Sequence, residues 1–171
     1  MNRELMIFRH AKSSWKDQTL SDYDRPLKGR GRRDAVKMGA YIKDNGWAPD
    51  YVLSSTARRA AQTIKRMMAA MDLDKDDVHW ERELYLAESD IWIHHLQTVP
   101  VDTNRALIVG HNPGLEDLVL ELCDHCVAIP EDGKLIPTAT LARLSVITTW
   151  AELSPRTCKL ISIQRPRLLK T

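Results

Sequence analysis

An arginine and a histidine stand side by side where the first apolar run of the chain ends. Residues 5–8 are continuously apolar, as expected of a strand buried on both faces, and Arg9 and His10 follow directly. A guanidinium grips phosphate oxygens with a planar fork, and a neutral imidazole nitrogen can attack phosphorus and carry it briefly. Because ligands of open α/β sheets bind beyond the carboxyl ends of strands, the pair is a candidate for phosphoryl chemistry. Most such pairs are ordinary surface residues, so this interpretation depends on partners supplied by the rest of the chain.

A second cationic group follows another predicted strand end. Residues 51–53 form a short apolar stretch that runs into a hydroxyl-rich turn over 54–56. A serine or threonine in that turn can cap a helix whose first turn holds Arg58 and Arg59. Arginines in the opening turn of a helix beyond a strand end favour anion binding. We therefore expect a second anion-facing group near the same edge of the sheet.

The clearest buried strand is the apolar run 105–110, which is followed by His111. Asn112 is a good helix N-cap and Pro113 a favourable first helical residue, so the sequence predicts a helix that begins there. Three strand ends thus deliver side chains suited to binding or attacking a phosphoryl group. Their convergence favours a functional site over three unrelated surface residues.

The remaining pattern alternates between helices and strands. Apolar spacing predicts helices over 29–45 and 89–97, a short strand over 78–80, and a closing pair of strands over 139–147 and 159–163. Such alternation is typical of the α/β class.

A basic cluster opens the first predicted helix, at Lys28, Arg30, Arg32 and Arg33. Such a cluster is either a docking patch for an acidic partner or, more commonly, a solvated helix entry.

Length and composition describe an ordinary globular protein. The 171 residues fit one domain over 1–171, and 25 basic against 23 acidic residues leave a net charge of +2. That balance gives no overall field for nucleic acid or membrane, so any anion affinity must be local. No apolar run approaches the roughly 20 residues of a membrane span, and the N-terminus does not resemble a signal peptide. We expect a cytoplasmic protein.

The three cysteines include a C-x-x-C spacing at Cys123 and Cys126, with Cys158 further along. This spacing can begin a zinc or redox site, but no second ligand pair follows at suitable distance. We expect buried, reduced cysteines and no metal.

Taken together, three stretches resemble the motifs of the histidine phosphatase (RHG, phosphoglycerate-mutase-like) superfamily. Residues 5–13 match the first motif, with Ala11 where many members have glycine. Residues 55–63 match the second, S-x-x-x-R-A-x-Q-T, which places the family's second arginine at Arg59, and residues 109–114 match the third. The resemblance covers nearly the whole chain. It implies a three-layer α/β/α sandwich with a mostly parallel central sheet and the site on its carboxyl edge.

Within the superfamily, the chain is similar to SixA-like phosphohistidine phosphatases. The similarity is carried by the short length and by residues 84–87, 111–114, 137–139 and 150–153.

The resemblance implies a role for each residue of the cluster. His10 would be the nucleophile that forms a phosphohistidine intermediate, while Arg9, Arg59 and a protonated His111 would hold the phosphoryl oxygens. Asn112 and the amides after it would add phosphate donors. Two arginines and a histidinium suit a dianion, so neither metal nor cofactor is expected, and a phosphate or sulfate ion would fit the site. Alternatively, Arg59 is a surface helix residue and His111 a satisfied core histidine.

The general acid is the least determined part of the site. Glu88 is the first candidate and Asp17 a weaker one, and the alternative role for Glu88 is a charge at the start of the following helix. An alcohol leaving group, with a pKa near ~15.7, needs a proton donor, whereas imidazole at about 6.5 needs much less help. A site without an acid would thus suit protein phosphohistidine. Whether Lys12 or Ser13 touches phosphate stays open.

Three other functions compete with this hypothesis. The first is a phosphomonoesterase for small phosphorylated substrates, and the second is a non-catalytic module that binds phosphoryl groups. The third, a zinc or redox protein, would use Cys123 and Cys126. The retained His10 argues against a module that only binds, because the arginines alone would suffice for binding.

Overall fold

The computed structural model describes residues 3–124 and 127–169. Six strands, four α-helices and four short 3-10 helices make up its regular structure within those residues. The strands are β1 (Arg3–Arg9), β2 (Tyr51–Ser55), β3 (Val78–Glu81), β4 (Arg105–Gly110), β5 (Leu141–Val146) and β6 (Cys158–Gln164). The helices are α1 (Gly29–Asp44), α2 (Arg58–Ala70), α3 (Ser89–Gln97) and α4 (Gly114–Leu122).

The six strands form one sheet in the order β3-β2-β4-β1-β5-β6. The pairs β2/β3, β2/β4 and β1/β4 are parallel, whereas β1/β5 and β5/β6 are antiparallel. The expected mostly parallel sheet and its closing antiparallel pair are therefore confirmed. The carboxyl ends of β1, β2 and β4 lie next to one another, which is the condition for the predicted site.

The helices cover both faces of the sheet. Alternating side chains of β1 enter different cores, Met6 and Phe8 on the α1/α2 face and Leu5 and Ile7 on the α3/α4 face. All four are fully buried. A continuously apolar strand is the expected result of such two-sided burial, and the three-layer arrangement is confirmed.

Two predicted helix caps were wrong. Helix α4 begins at Gly114 with Pro113 at its N-cap and no side-chain cap. Asn112 Nδ2 donates to the Ile136 carbonyl at 3.0 Å, and its Oδ1, the atom that would cap the helix, has no partner among the described residues. Helix α2 has Ala57 at its N-cap and no side-chain cap. The Ser55 hydroxyl instead accepts from the Ala57 amide at 3.2 Å, one residue before the helix.

The cysteine hypothesis falls partly outside the described residues, because Cys126 is not among them. Cys123 and Cys158 are buried, and burial raises the pKa of the Cys158 thiol to about 12. A thiol with so high a pKa is a poor nucleophile at neutral pH. Within residues 3–124 and 127–169, no three histidine, cysteine or acidic side chains are placed to hold a metal ion together.

None of the helices described is both long enough and apolar enough to span a membrane.

Candidate active site

Strand pairing brings the two site histidines side by side. The parallel register between β1 and β4 ends at Arg9 and Gly110, and the His10 amide donates to the Gly110 carbonyl at 3.0 Å. His10 and His111 are therefore neighbours across the sheet, with ring centroids 5.1 Å apart. Both are buried.

The imidazole of His10 is held as a neutral base. Its Nδ1 lies 2.8 Å from the Ala11 carbonyl, and since a carbonyl only accepts, Nδ1 carries the proton. The lone pair of Nε2 faces Arg59, whose Nε–H donates to it at 3.2 Å. Burial, with the positive charges of Arg59 and Arg9, lowers the pKa of His10 to about 3. A neutral ring with an unprotonated Nε2 is the nucleophilic form of histidine.

Helix α2 also fixes the loop that orients His10. The Ala11 amide donates to the Thr63 hydroxyl at 3.0 Å, and that hydroxyl donates to the Arg59 carbonyl at 2.7 Å. Gln62 accepts from the Leu27 amide at 2.8 Å through its side-chain oxygen. The glutamine and threonine of the second motif thus tie the loop after β1 to the helix that carries Arg59.

Arg59 is bound by a carboxylate that the sequence did not single out. Its guanidinium donates to the Asp22 carboxylate at 2.9 Å and to the Asp22 carbonyl at 2.5 Å. Tyr85 donates to the same carboxylate at 2.6 Å. Partial burial would raise the pKa of Asp22, but the hydrogen bond from Tyr85 and the charge of Arg59 outweigh it and lower that pKa. Asp22 is therefore an ionised anchor for Arg59.

Arg9 and Asn112 meet at a shared acceptor. Both donate to the Ile136 carbonyl, each at 3.0 Å. Burial lowers the pKa of Arg9, and the nearby Glu116 carboxylate opposes that shift. Glu116 is held in turn, since it accepts from the Ile136 amide at 2.7 Å. The segment around Ile136 thus positions both side chains beside the histidine pair.

His111 is neutral in its protein surroundings. Burial, followed by the neighbouring His10 and the charge of Arg59, lowers its pKa to about 2. The sequence-based expectation of a protonated His111 concerned the site with a phosphoryl dianion bound, whereas the protein groups alone leave His111 neutral. An added negative charge, such as a phosphate dianion, would raise that pKa.

Ser55 sets the tautomer of His111. The Ser55 hydroxyl lies 2.8 Å from His111 Nε2 and also accepts from the Ala57 amide at 3.2 Å. We assign its hydrogen to Nε2, which leaves the proton of His111 on Nδ1. In the described part of the chain that buried Nδ1 has no partner. It is a donor available to an oxygen of a bound phosphoryl group.

Replacing Ser55 by alanine is expected to lower kcat/KM by about fivefold, because one hydrogen bond contributes roughly 1 kcal/mol and 1.4 kcal/mol is a tenfold effect. Ser54→Ala is the matched control, since Ser54 is equally buried but donates to a backbone carbonyl on the same strand. It should change kcat/KM by less than about twofold. Steady-state kinetics and thermal unfolding of both variants test this. Equal losses of activity in the two variants would contradict it.

The two candidate acids lie in exposed positions. Glu88 is the N-cap residue of α3, and its side chain makes no capping hydrogen bond. Asp17 accepts from the Thr19 amide at 3.0 Å and from the Thr19 hydroxyl at 2.6 Å, and these bonds lower its pKa. A carboxyl with a lowered pKa is ionised at neutral pH and so has no proton to donate.

The contacts of Lys12 and Ser13 in the first loop are made by their backbone. Ser13 is buried and pairs with Leu27 in an isolated β-bridge, and the Lys12 carbonyl accepts from the Lys28 amide at 3.0 Å. These contacts fix the loop but assign no phosphate contact to either side chain.

Comparison with known proteins agrees with this geometry. The family described as "Histidine phosphatase superfamily (branch 1)" matches residues 5–91. An uncharacterised protein of Mycobacterium tuberculosis is 36% identical over 164 residues, which cover 93% of this chain and 99% of that protein. An uncharacterised chloroplastic protein of Arabidopsis thaliana is 36% identical over 125 residues, and the match spans 68% of this chain but only 57% of that longer relative.

Among solved structures, the Nakamurella multipartitia protein assigned as phosphohistidine phosphatase SixA superposes with a TM-score of 0.83 at 29% identity. That superposition covers 97% of each chain. The matched family range contains two of the three motifs, and the third delivers His111 to the same sheet edge. The chain therefore belongs to the histidine phosphatase superfamily and is a phosphatase whose structure is similar to that of SixA.

Proposed function

We propose that the chain hydrolyses phosphohistidine in proteins, without a metal ion, through an intermediate on His10. The SixA assignment of the Nakamurella structure supports this substrate class. The arrangement of His10, Arg9, Arg59 and His111 supports the chemistry. Their charges and N–H groups do the work that a metal would otherwise do at a phosphoryl group.

In the first step, Nε2 of His10 attacks the phosphorus of a phosphohistidine whose other ring nitrogen carries a proton. The bond between phosphorus and that substrate ring breaks, and the ring leaves as neutral imidazole. Arg59 Nε–H, which donates to Nε2 at 3.2 Å, turns to a phosphoryl oxygen as that lone pair is used. Arg9 and the Nδ1–H of His111 bind the other oxygens. Water then cleaves the bond between phosphorus and Nε2, which releases inorganic phosphate and restores His10.

The observation that carries the substrate class is the state of the carboxylates. Asp22 touches the site, yet Arg59 and Tyr85 keep it ionised. In the described residues Asp17 and Glu88 form no hydrogen bond with the histidine pair. A site with no protonated carboxyl in contact favours a leaving group that departs without one, and imidazole is such a group.

Binding of the dianion completes the charge balance. Arg9 and Arg59 carry two positive charges, and Asp22 cancels part of them. A dianion placed between them would raise the pKa of His111 from about 2 and favour its protonated form. The histidinium expected from the sequence thus belongs to the complex with phosphate.

Exposed apolar side chains at the rim support a protein as the carrier of the phosphoryl group. Leu86, next to Tyr85, is 51% exposed, and Trp15 is 63% exposed. Arg25 stacks on the Trp15 ring at 3.3 Å, and its guanidinium lies 3.7 Å from the Asp22 carboxylate that anchors Arg59. Large apolar and arginine side chains around a polar centre are typical of protein-binding surfaces.

We also propose that residues 1–171 form one domain and that the protein is cytoplasmic. The single sheet that contains all six described strands supports the first. The near balance of charge, +2 overall, is compatible with the second.

A leaving-group series tests the proposal directly. One peptide sequence is prepared with phosphohistidine, phosphotyrosine or phosphoserine at the same position, giving leaving groups with pKa values near about 6.5, 10 and 15.7. We expect kcat/KM to fall at least about 100-fold at each step, because general acid catalysis contributes about 10²- to 10⁴-fold where it is present. Hydrolysis of the phosphohistidine peptide should be unchanged by a chelator.

The variant Glu88→Gln separates the alternatives. It should leave hydrolysis of the phosphohistidine peptide within about twofold of wild type. Phosphoserine cleaved as fast as phosphohistidine, with a loss in Glu88→Gln, would instead show a phosphomonoesterase with Glu88 as its acid. Loss of activity with chelator, restored by a divalent metal, would contradict metal independence.

A further inference from the structure

A continuous group of cations lies on the surface beside the site. It is formed by Arg30, Arg32, Arg33, Arg66, Lys134 and Arg167, and we call it the basic band. Two neighbouring cavities run along it, one of about 470 Å³ between α1 and α2 and one of about 130 Å³. The first is lined by arginines and a lysine around Val36, which is 48% exposed, and the second is lined by cations from α1 and from the chain's last segment.

Carboxylates balance only part of this charge. Arg30 pairs with Asp34 at 3.4 Å, and Arg167 pairs with Asp132 at 3.3 Å. Over residues 3–124 and 127–169, no carboxylate lies within ion-pair distance of the other four cations, namely Arg32, Arg33, Arg66 and Lys134. In a chain with a net charge of only +2, this concentration is local.

The position of these cations at the start of α1 destabilises the helix. Its first turn holds no acidic residue, while Lys28 is the N-cap and Arg30, Arg32 and Arg33 follow within five positions. Cations near a helix N-terminus oppose the helix dipole. Side chains that lower the stability of their own helix in this way are expected where a surface serves binding.

Both ends of the basic band reach the backbone that carries His10. At α1, a Cβ on Gly31 would lie 2.2 Å from the Lys12 carbonyl, so the helix packs directly on the loop after His10. The second cavity extends to Thr138. The next amide, of Ala139, donates to the His10 carbonyl at 3.2 Å. A macromolecule bound along the band would therefore lie beside the site.

We propose that the basic band docks an acidic surface of the protein that carries the phosphohistidine. This inference rests on the proposed function and adds the chemistry of the partner. Arginines, which dominate the band, bind carboxylates in a two-point geometry. The exposed Val36 between them fits the mixed apolar and polar surface of a protein better than a phosphate backbone does.

Two phosphohistidine peptides test the proposal. One has about six glutamates on each side of the phosphohistidine, enough to reach about 20 Å at roughly 3.3 Å per residue, and the other has glutamines instead. Wild type should hydrolyse the glutamate peptide with a kcat/KM about tenfold higher at low salt, and the advantage should shrink as ionic strength rises. The double variant Arg33→Glu/Lys134→Glu should lose this advantage and hydrolyse the glutamine peptide within about twofold of wild type.

The control is Lys75→Glu/Lys159→Glu, which changes the net charge by the same amount. Both lysines are exposed and lie near the end of the sheet where the parallel strands begin, away from the site. It should keep the preference for glutamate. Equal hydrolysis of both peptides by wild type would overturn the docking proposal while the proposed function stands. Hydrolysis of neither peptide would overturn both. An RNA oligonucleotide is added at concentrations below the KM of the glutamate peptide. If it suppresses hydrolysis of that peptide by wild type but not by the double variant, the basic band binds nucleic acid and the docking proposal is overturned.

Discussion

Replacing His10 by alanine is expected to lower hydrolysis of a phosphohistidine peptide by at least about 10³-fold, the order of effect seen when a covalent nucleophile is removed. The reason is that Nε2 of His10 is the neutral nitrogen lone pair that Arg9, Arg59 and His111 surround. Base-quenched mixing of enzyme with labelled substrate should show a phosphorylated wild-type protein and an unlabelled variant.

His94→Ala is the matched control, because His94 is an exposed histidine on α3. It should retain kcat/KM within about twofold of wild type. Phosphate protection against thermal unfolding should persist in His10→Ala, since the guanidinium groups remain. A variant that keeps wild-type turnover would place the nucleophile elsewhere.

The same neutral ring predicts a spectroscopic result. An ordinary histidine with a pKa near 6.5 would change from about three-quarters neutral at pH 7 to a few per cent at pH 5. Since the pKa of His10 is about 3, its ring signals in wild-type NMR spectra should stay constant between pH 5 and 8. The signals are assigned by their loss in His10→Ala. Titration near pH 6.5 would contradict the buried, neutral assignment.

The location of the site could be predicted because it depends on local pattern. Each of Arg9, His10 and His111 directly follows or ends an apolar run, and Arg59 opens a helix just beyond another. Parallel strands share one carboxyl edge, so their ends must meet once the α/β class is recognised. No distant contact had to be known.

The second layer of the site depends on contacts between distant parts of the chain. Asp22 and Arg59 are 37 positions apart, and Asp22 and Tyr85 are 63 apart. The loop of Asp22 also contains Asp17 and Asp24, and nothing in the local pattern distinguishes the carboxylate that folds onto Arg59. Tyr85 stood within a stretch that carried the family resemblance, which was the available signal.

The protonation state of His111 also could not be predicted from the sequence. The charge of His111 depends on its burial and on His10 and Arg59 beside it, none of which a motif specifies. The start of α4 depends similarly on packing. Asn112 is a residue type that often caps helices, yet it does not cap α4, and its side chain is oriented by the hydrogen bond from Nδ2 to the Ile136 carbonyl, 24 positions away.

The close packing at the start of α4 predicts the largest loss of stability, for Gly114→Ala. A Cβ on Gly114 would lie 1.8 Å from the Ala87 carbonyl oxygen, far inside van der Waals contact. Since the clash is with backbone, a side-chain rotation cannot relieve it, and either α4 or the segment before α3 must move. We expect the free energy of unfolding to fall by about 3 kcal/mol or more, at the upper end of overpacking effects. Urea unfolding followed by circular dichroism measures it.

Gly29→Ala is the control, because Gly29 opens α1 as Gly114 opens α4, but its added Cβ would meet only arginine side-chain tips, the nearest at 3.6 Å. There alanine should be neutral or stabilising by up to about 1 kcal/mol. The two substitutions are chemically identical, so their difference isolates the contact with Ala87. Activity should fall with stability in Gly114→Ala, because the Leu115 amide donates to the His111 carbonyl at 3.1 Å and moves with the helix. Wild-type stability in this variant would mean that α4 and the segment before α3 are not packed this closely, and the position of His111 would then need another support.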